Sequence, residues 1–425
     1  MKYAYINGIL LSGEEDMKPV SGSILRTDGE RIEDIVPEGT DLTGYEVIDL
    51  KGKYLLPGLI NLHVHLPASG KPKKHSDPAT LARLLTSNAL FRAVVRDVCA
   101  ANAKKQLMSG VTTIRTVGGV VDSDTRIRDD IDAGRRIGPR ILAGNMGVSV
   151  PGGHMAGSLA YAVHSPEEAA ACVEKIAAEK PDLIKLMITG GVLDATVRGE
   201  PGALKMSPEI VRAAAETAHK HGLMTAAHVE SPEGVRVALE NGVDTIEHGA
   251  KPDAEILRLF RERGARLVAT FSPALPFALF DRSVSKVSEL DQYNSEIVFE
   301  GIIECAKECL REGIPVGLGT DTGCPFDTHY DTWREVYYFK KFCGVDNAFA
   351  LYTATIGNAR VVGIDGETGS LTPGKSADLI AVEGNPLEDL RALRNISLVS
   401  ARGRLIRDPK VKKVAAIERE LDKFL

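Results

Sequence analysis

Long apolar runs are missing from this chain. No stretch approaches the roughly 18 consecutive apolar residues of a membrane-spanning helix, so no span is expected. An excess of positive charge is missing too. Against 58 Asp and Glu stand 52 Lys and Arg, a net charge of -6, and a nucleic-acid partner is not expected. The small group Lys71, Lys73 and Lys74 reads as a solvated loop. The six cysteines (Cys99, Cys172, Cys305, Cys309, Cys324 and Cys343) contain no CxxC pair. They read as reduced core or loop residues of a cytoplasmic protein. Cys305 and Cys309, one helical turn apart, read as helix packing. The N-terminus, MKYAYINGILLSGEEDM, lacks a long apolar h-region and a small-residue cleavage site, so no signal peptide is expected.

What is present is an ordinary globular composition, 44% hydrophobic and 26% charged over 425 residues, enough for a large core and more than one folded unit. The first segment reads as short strands in YAYINGILL, GSILRTDGERIEDIVP and YEVIDLKGKYLLPG. The far end mirrors it in GSLTPGKSADLIAVEG and ISLVSARGRLIRD. Neither piece buries a core alone, so residues 1–57 and 364–425 are expected to form one composite β-sandwich. Residues 58–363 alternate strand and helix. Eight strand-like runs can be counted: LINLHVHL, VTTIRTVGG, RILAGNMGVSV, LIKLMITGG, LMTAAHVES, DTIEHG, RLVATFSP and PVGLGTDTG. Amphipathic helices such as PEIVRAAAETAHKHG and DAEILRLFRERG lie between them. The α/β pattern predicts a parallel (β/α)8 TIM barrel. Two connections are long, HLPASGKPKKHSDPAT after the first strand and ALPFALFDRSVSKVSELDQYNSE after the seventh, and both read as lids or substrate walls. Near the end, Val414, Ile417 and Leu421 share a helical face that could pack on its own barrel or on a neighbouring subunit.

Metal-ligand residue types close many of these apolar runs. His63 and His65 alternate on the first strand, so both imidazoles face one way. Taken alone the pair could be polar residues satisfied by a loop. At the end of a first strand, after LPGLIN, it reads as a metal pair. Lys185 sits inside an apolar strand, where a charged amine is costly to bury. It reads either as a rim lysine reaching solvent or a carboxylate, or as a lysine carboxylated by carbon dioxide into an oxygen ligand. His228 and His248 end adjacent strands. A lone histidine there would be a core residue; two in register with the others read as ligands. Asp321 ends GLGTD and is a ligand, a proton acceptor or a helix cap. His154, in VSVPGGHMAG after the third strand, could polarise a substrate carbonyl or hold a loop, and Gly152 and Gly153 let the backbone approach a ligand. Gly190, in ITGG, is a candidate substrate contact. His219 and His221 lie at a helix C-terminus, where capping and dipole contacts explain them.

Together HVH at 63–65, Lys185, His228, His248, Asp321, LPGLIN and GSLTPGKSADLIAV resemble the amidohydrolase superfamily of metal-dependent hydrolases, over essentially the whole chain. GGH at 152–154, IKLMITGG and AHVES…GVDTIEHG look like its imidazolonepropionase-related, prolidase-like branch. The resemblance implies two divalent ions, zinc first among them. His63, His65 and Asp321 would hold one, and His228 and His248 the other. A carboxylated Lys185 and a hydroxide would bridge them. It implies hydrolysis of C–N bonds in dipeptides, N-acyl amino acids or cyclic amides, with Asp321 as proton shuttle and His154 stabilising the carbonyl oxygen. The partner expected is a small-molecule substrate, and a homo-oligomer is the expected assembly. Two positions depart from the pattern. Thr116 stands where such proteins often have Asp. Glu230 stands where dipeptidases of this branch often carry a Tyr that contacts the substrate carboxylate. Glu230 shares a strand face with His228 and is expected to line the pocket, favouring a substrate with an amine or amide N–H over one with a free α-carboxylate. A deaminase of the same superfamily is the nearest rival, weakened by Lys185 and by HVE in place of HxxE. A non-catalytic barrel scaffold is the rival of another class, and such proteins typically lose metal ligands that this chain keeps.

Overall fold

The computed structural model describes residues 1–72, 80 and 87–425. Lys73 and Lys74, and much of the connection after the first barrel strand, lie outside the described residues. At the two ends of the chain, β-favouring residues broken by Gly and Pro form two sheets. The first contains Arg31–Pro37, Ser23–Asp28, Lys2–Ile6 and Glu46–Asp49, in that spatial order. The second joins the termini: Leu379–Val382 pairs antiparallel with Tyr54–Pro57, Leu379 opposite Pro57. Tyr5, Leu25 and Ile48 of the first sheet pack with Leu55, Leu379 and Leu398 of the second in one buried cluster.

The centre is the expected parallel barrel. Its strands are Leu59–Val64, Val111–Thr116, Arg140–Leu142, Leu183–Met187, Met224–Val229, Thr245–His248, Arg266–Ala269 and Val316–Leu318. The fifth and sixth pair with Val229 opposite His248. The ring closes where the Asp321 N–H donates to the His63 carbonyl at 2.8 Å and the His65 N–H to the Thr322 carbonyl at 2.9 Å. The third run is not one strand. Arg140–Leu142 pairs with the second strand, whereas Gly147–Ser149 pairs with the fourth. Between them Asn145 adopts φ +54°, and its side chain takes the Thr125 N–H at 3.1 Å. A left-handed residue cannot continue a pleat, so the strand is split there.

Three barrel helices begin with the same tripeptide, Ser-Pro-Glu, at 165–167, 207–209 and 231–233. Each Ser accepts the backbone N–H three residues on, Pro supplies a first helical residue with no N–H to satisfy, and Glu faces the positive end of the helix dipole. These caps start the helices Pro166–Ala177, Pro208–Lys220 and Pro232–Glu240. The long seventh connection is largely helical. It contains the helices Ala274–Leu279 and Arg282–Ser285, and its end forms the start of Glu289–Arg311, opened by a Ser288–Asp291 capping box. The C-terminal helix Ala415–Leu421 packs on its own barrel: Ile417 and Leu421 are buried, and Arg334 reaches Asp422 at 2.7 Å.

Candidate metal and active site

The candidate ligands meet at the C-terminal mouth of the barrel: His63, His228 and His248 lie at the ends of the first, fifth and sixth strands, His65 and Asp321 just beyond the first and eighth, and Lys185 within the fourth. His248 and Asp321 turn in with φ of +68° and +58°, a backbone state that L residues adopt only where surroundings impose it. Two groups result. His63, His65 and Asp321 offer donor atoms within 4.8 Å of one another, as do His228, Glu230 and His248.

Hydrogen bonds fix which imidazole nitrogen is free. His63 Nδ1 faces Glu247 Oε2 at 2.8 Å, and His65 Nδ1 faces the Gly118 carbonyl at 2.9 Å. An N–H at each Nδ1 leaves both Nε2 lone pairs turned to Asp321 Oδ1, at 3.4 and 3.1 Å. His248 Nδ1 meets Thr270 Oγ1 at 2.7 Å, leaving Nε2 free, whereas His228 turns Nε2 to the Gly190 carbonyl at 3.4 Å and leaves Nδ1 free. Burial holds His63, His228 and His248 in the neutral form that ligates. It pushes His248 down to about 4, and with the Lys185 charge it takes His63 well below its usual range. His228 is lowered likewise by burial and by His154. Burial would raise Asp321, yet the His63 and His65 imidazoles hold its carboxyl well below the usual carboxylate range.

Lys185 is fully buried, and its Nζ makes no hydrogen bond among the described residues. Burial lowers it to about 8, against the pull of Glu247 and Asp321. Glu230 Oε2 is likewise shut off and unpartnered, and burial, then Asp321, push its carboxyl up to about 8. A bare amine and a bare carboxylate oxygen beside neutral imidazoles form a nitrogen–oxygen donor set suited to a divalent cation. His154 joins the second group. Its ring stacks on His228 at 4.1 Å between centroids, and its Nδ1 meets Asp194 Oδ2 at 2.6 Å. Gly190 borders a groove with Asp194, Val197 and Lys205. His219 and His221 are remote; they pair with Asp244 and Glu174 at the surface rather than with helix carbonyls. Thr116 Oγ1 accepts the Gly144 N–H at 3.0 Å and so ties the second strand to the third.

Two residues that the sequence reading passes over support this site. Arg115 reaches both oxygens of Glu247 at 2.7 Å, and Glu247 in turn holds His63. Both lie within apolar strands, the same signal that marks Lys185. Asp194 had no comparable signal. Breaking a buried pair leaves an uncompensated charge, so Glu247→Gln is expected to cost about 3 kcal/mol of unfolding free energy. Urea denaturation of the chelated protein measures it; a change below about 1 kcal/mol would show that Arg115 is satisfied by other groups.

The chain matches the amidohydrolase family over residues 54–406. A candidate prolidase from Bifidobacterium longum has a similar structure, with a TM-score of 0.88 and 36% identity, covering 99% of this chain and 98% of that one. A Xaa-Pro dipeptidase with methionine bound in its active site superposes with a TM-score of 0.83 at 29% identity, covering 96% of this chain and all of that one. The ochratoxinase of Aspergillus niger is 26% identical over 387 residues, 84% of this chain and 76% of the relative. With its barrel and both terminal sheets in place, the chain belongs to the amidohydrolase family and is a hydrolase of carbon–nitrogen bonds.

Proposed function

We propose that this enzyme cleaves an amide-type bond of a small molecule (a dipeptide, an N-acyl amino acid or a cyclic amide) with two divalent cations, zinc first among them, held at the barrel mouth. The observation that carries this reading is Lys185: a fully buried amine whose Nζ has no hydrogen-bond partner among the described residues. In this reading His63, His65 and Asp321 hold one cation, and His228 and His248 hold the other. Lys185, once carboxylated at Nζ, would supply oxygen donors to the site. The neutral amine is the form that adds carbon dioxide, and burial makes that form more abundant near neutral pH than in a solvated lysine.

When bound, such cations lower the pKa of water and polarise a carbonyl. Asp321 takes the proton of the attacking water on its carboxylate and passes it to the leaving nitrogen. Asp194 holds His154 Nδ1, and in its doubly protonated form His154 would donate from Nε2 to the substrate oxygen as it gains charge. The groove beside Gly190 would take one arm of the substrate.

Elemental analysis of protein grown with added zinc is expected to give about two ions per chain. Screening that material against dipeptides, N-acyl amino acids and cyclic amides is expected to find turnover. Full activity with one ion or fewer would end the two-cation reading, and a mononuclear deaminase would then fit better.

A further inference from the structure

We propose that Glu230 is a third protein ligand of the cation held by His228 and His248, an inference that rests on the two-cation reading above. A carboxylate oxygen of Glu230 lies within 4.8 Å of a ring nitrogen of each histidine, with the two nitrogens equally close to each other. Oε2 is closed to solvent and accepts no hydrogen bond, and among the described residues no Lys or Arg forms an ion pair with Glu230. A buried carboxylate oxygen in that state is costly unless a cation faces it. The residue is also held in place. Its N–H donates to Thr189 Oγ1 at 3.1 Å. Gly202 presses on its carbonyl so closely that a Cβ there would come within 2.4 Å. His228 and Glu230, one residue apart at a strand end, project to the same side.

With Glu230 counted, the two halves of the site match. Each has two imidazoles and one carboxylate, a set that suits zinc. The consequence is chemical as well as geometric. A carboxylate taken up by a cation no longer repels a substrate anion, so Glu230 would not select for a substrate amine. The substrate contact made by a Tyr at this position in resembling dipeptidases must then come from another residue.

The test loads wild type, Glu230→Gln and Glu230→Ala with Zn2+ or Co2+, then measures ion content, affinity by chelator competition and cobalt absorption. Wild type is expected to hold two ions. Both variants are expected to keep one ion at wild-type affinity, which also reports a folded barrel, and to weaken the other at least about a hundredfold. That exceeds the tenfold to hundredfold loss typical of a group that merely supports a ligand. Two ions at wild-type affinity in Glu230→Ala would overturn the assignment and leave the two-cation reading intact. One ion or fewer in wild type would overturn both. Should the variants not fold, zinc-edge anomalous diffraction of the wild-type holoenzyme decides. A Glu230 oxygen at about 2.0–2.2 Å from the ion supports the assignment, and one beyond about 3 Å overturns it.

Discussion

Lys185→Ala is expected to lose metal and turnover together, with activity falling at least about a thousandfold, the several kcal/mol that bound cations contribute. The argument rests on what a buried amine does when nothing pairs with it. Lys185 sits on the fourth strand, with Ala226 opposite it on the fifth, and no described group accepts from its Nζ. As a structural residue it would only add desolvation cost. Lys185→Met, which keeps the volume, should then leave the chelated protein as stable or more so. The proposed role requires that same variant to lose ions, so stability and metal content should move in opposite directions. Short carboxylic acids entering the space left in Lys185→Ala should restore part of both metal and activity by supplying the missing oxygens. Normal metal content and turnover in Lys185→Ala would remove Lys185 from the site.

Lys185 also shows why so much of the site can be read from the chain. A parallel barrel strand is buried on both faces, so a charged residue within one needs a reason. That rule singles out Lys185, and with equal force Arg115 in VTTIRTVGG and Glu247 in VDTIEHGA. Their connection is not legible, because Arg115 and Glu247 are 132 positions apart and meet only across the closed barrel. The pairing of His154 with Asp194 is hidden for another reason. It joins a loop to the short 3-10 turn Val192–Asp194, and no periodicity constrains where such residues point. The same limit hides the break in the third strand, which depends on one left-handed residue, Asn145. At the seventh connection the signal exists in the residues. Ser288-Glu289-Leu290-Asp291 carries a capping-box spacing that marks the start of the helix Glu289–Arg311. Glu230 lies between these cases. Its strand face follows from alternation with His228, but whether its carboxylate meets a substrate or a cation depends on distances that sequence does not hold.

Asp321→Asn is expected to lower turnover between about a hundredfold and ten-thousandfold, the range of a positioned proton-transfer group. The substitution preserves the shape of a residue already held at φ +58° by its N–H bond to the His63 carbonyl. What it removes is the charge that faces His63 and His65 Nε2 and the oxygen able to take a proton. Loss of a ligand and loss of a base both slow the enzyme, so metal content must be measured on the same sample. The two are also separable by leaving group. An amide nitrogen must receive a proton before it departs, whereas an activated ester leaves without one. If Asp321 delivers that proton, Asp321→Asn should damage amide cleavage more than cleavage of the matched ester. An equal loss on both, with metal reduced, would mean that Asp321 acts as a ligand alone. Near-normal amide turnover at full metal occupancy would mean that the proton passes through some other group.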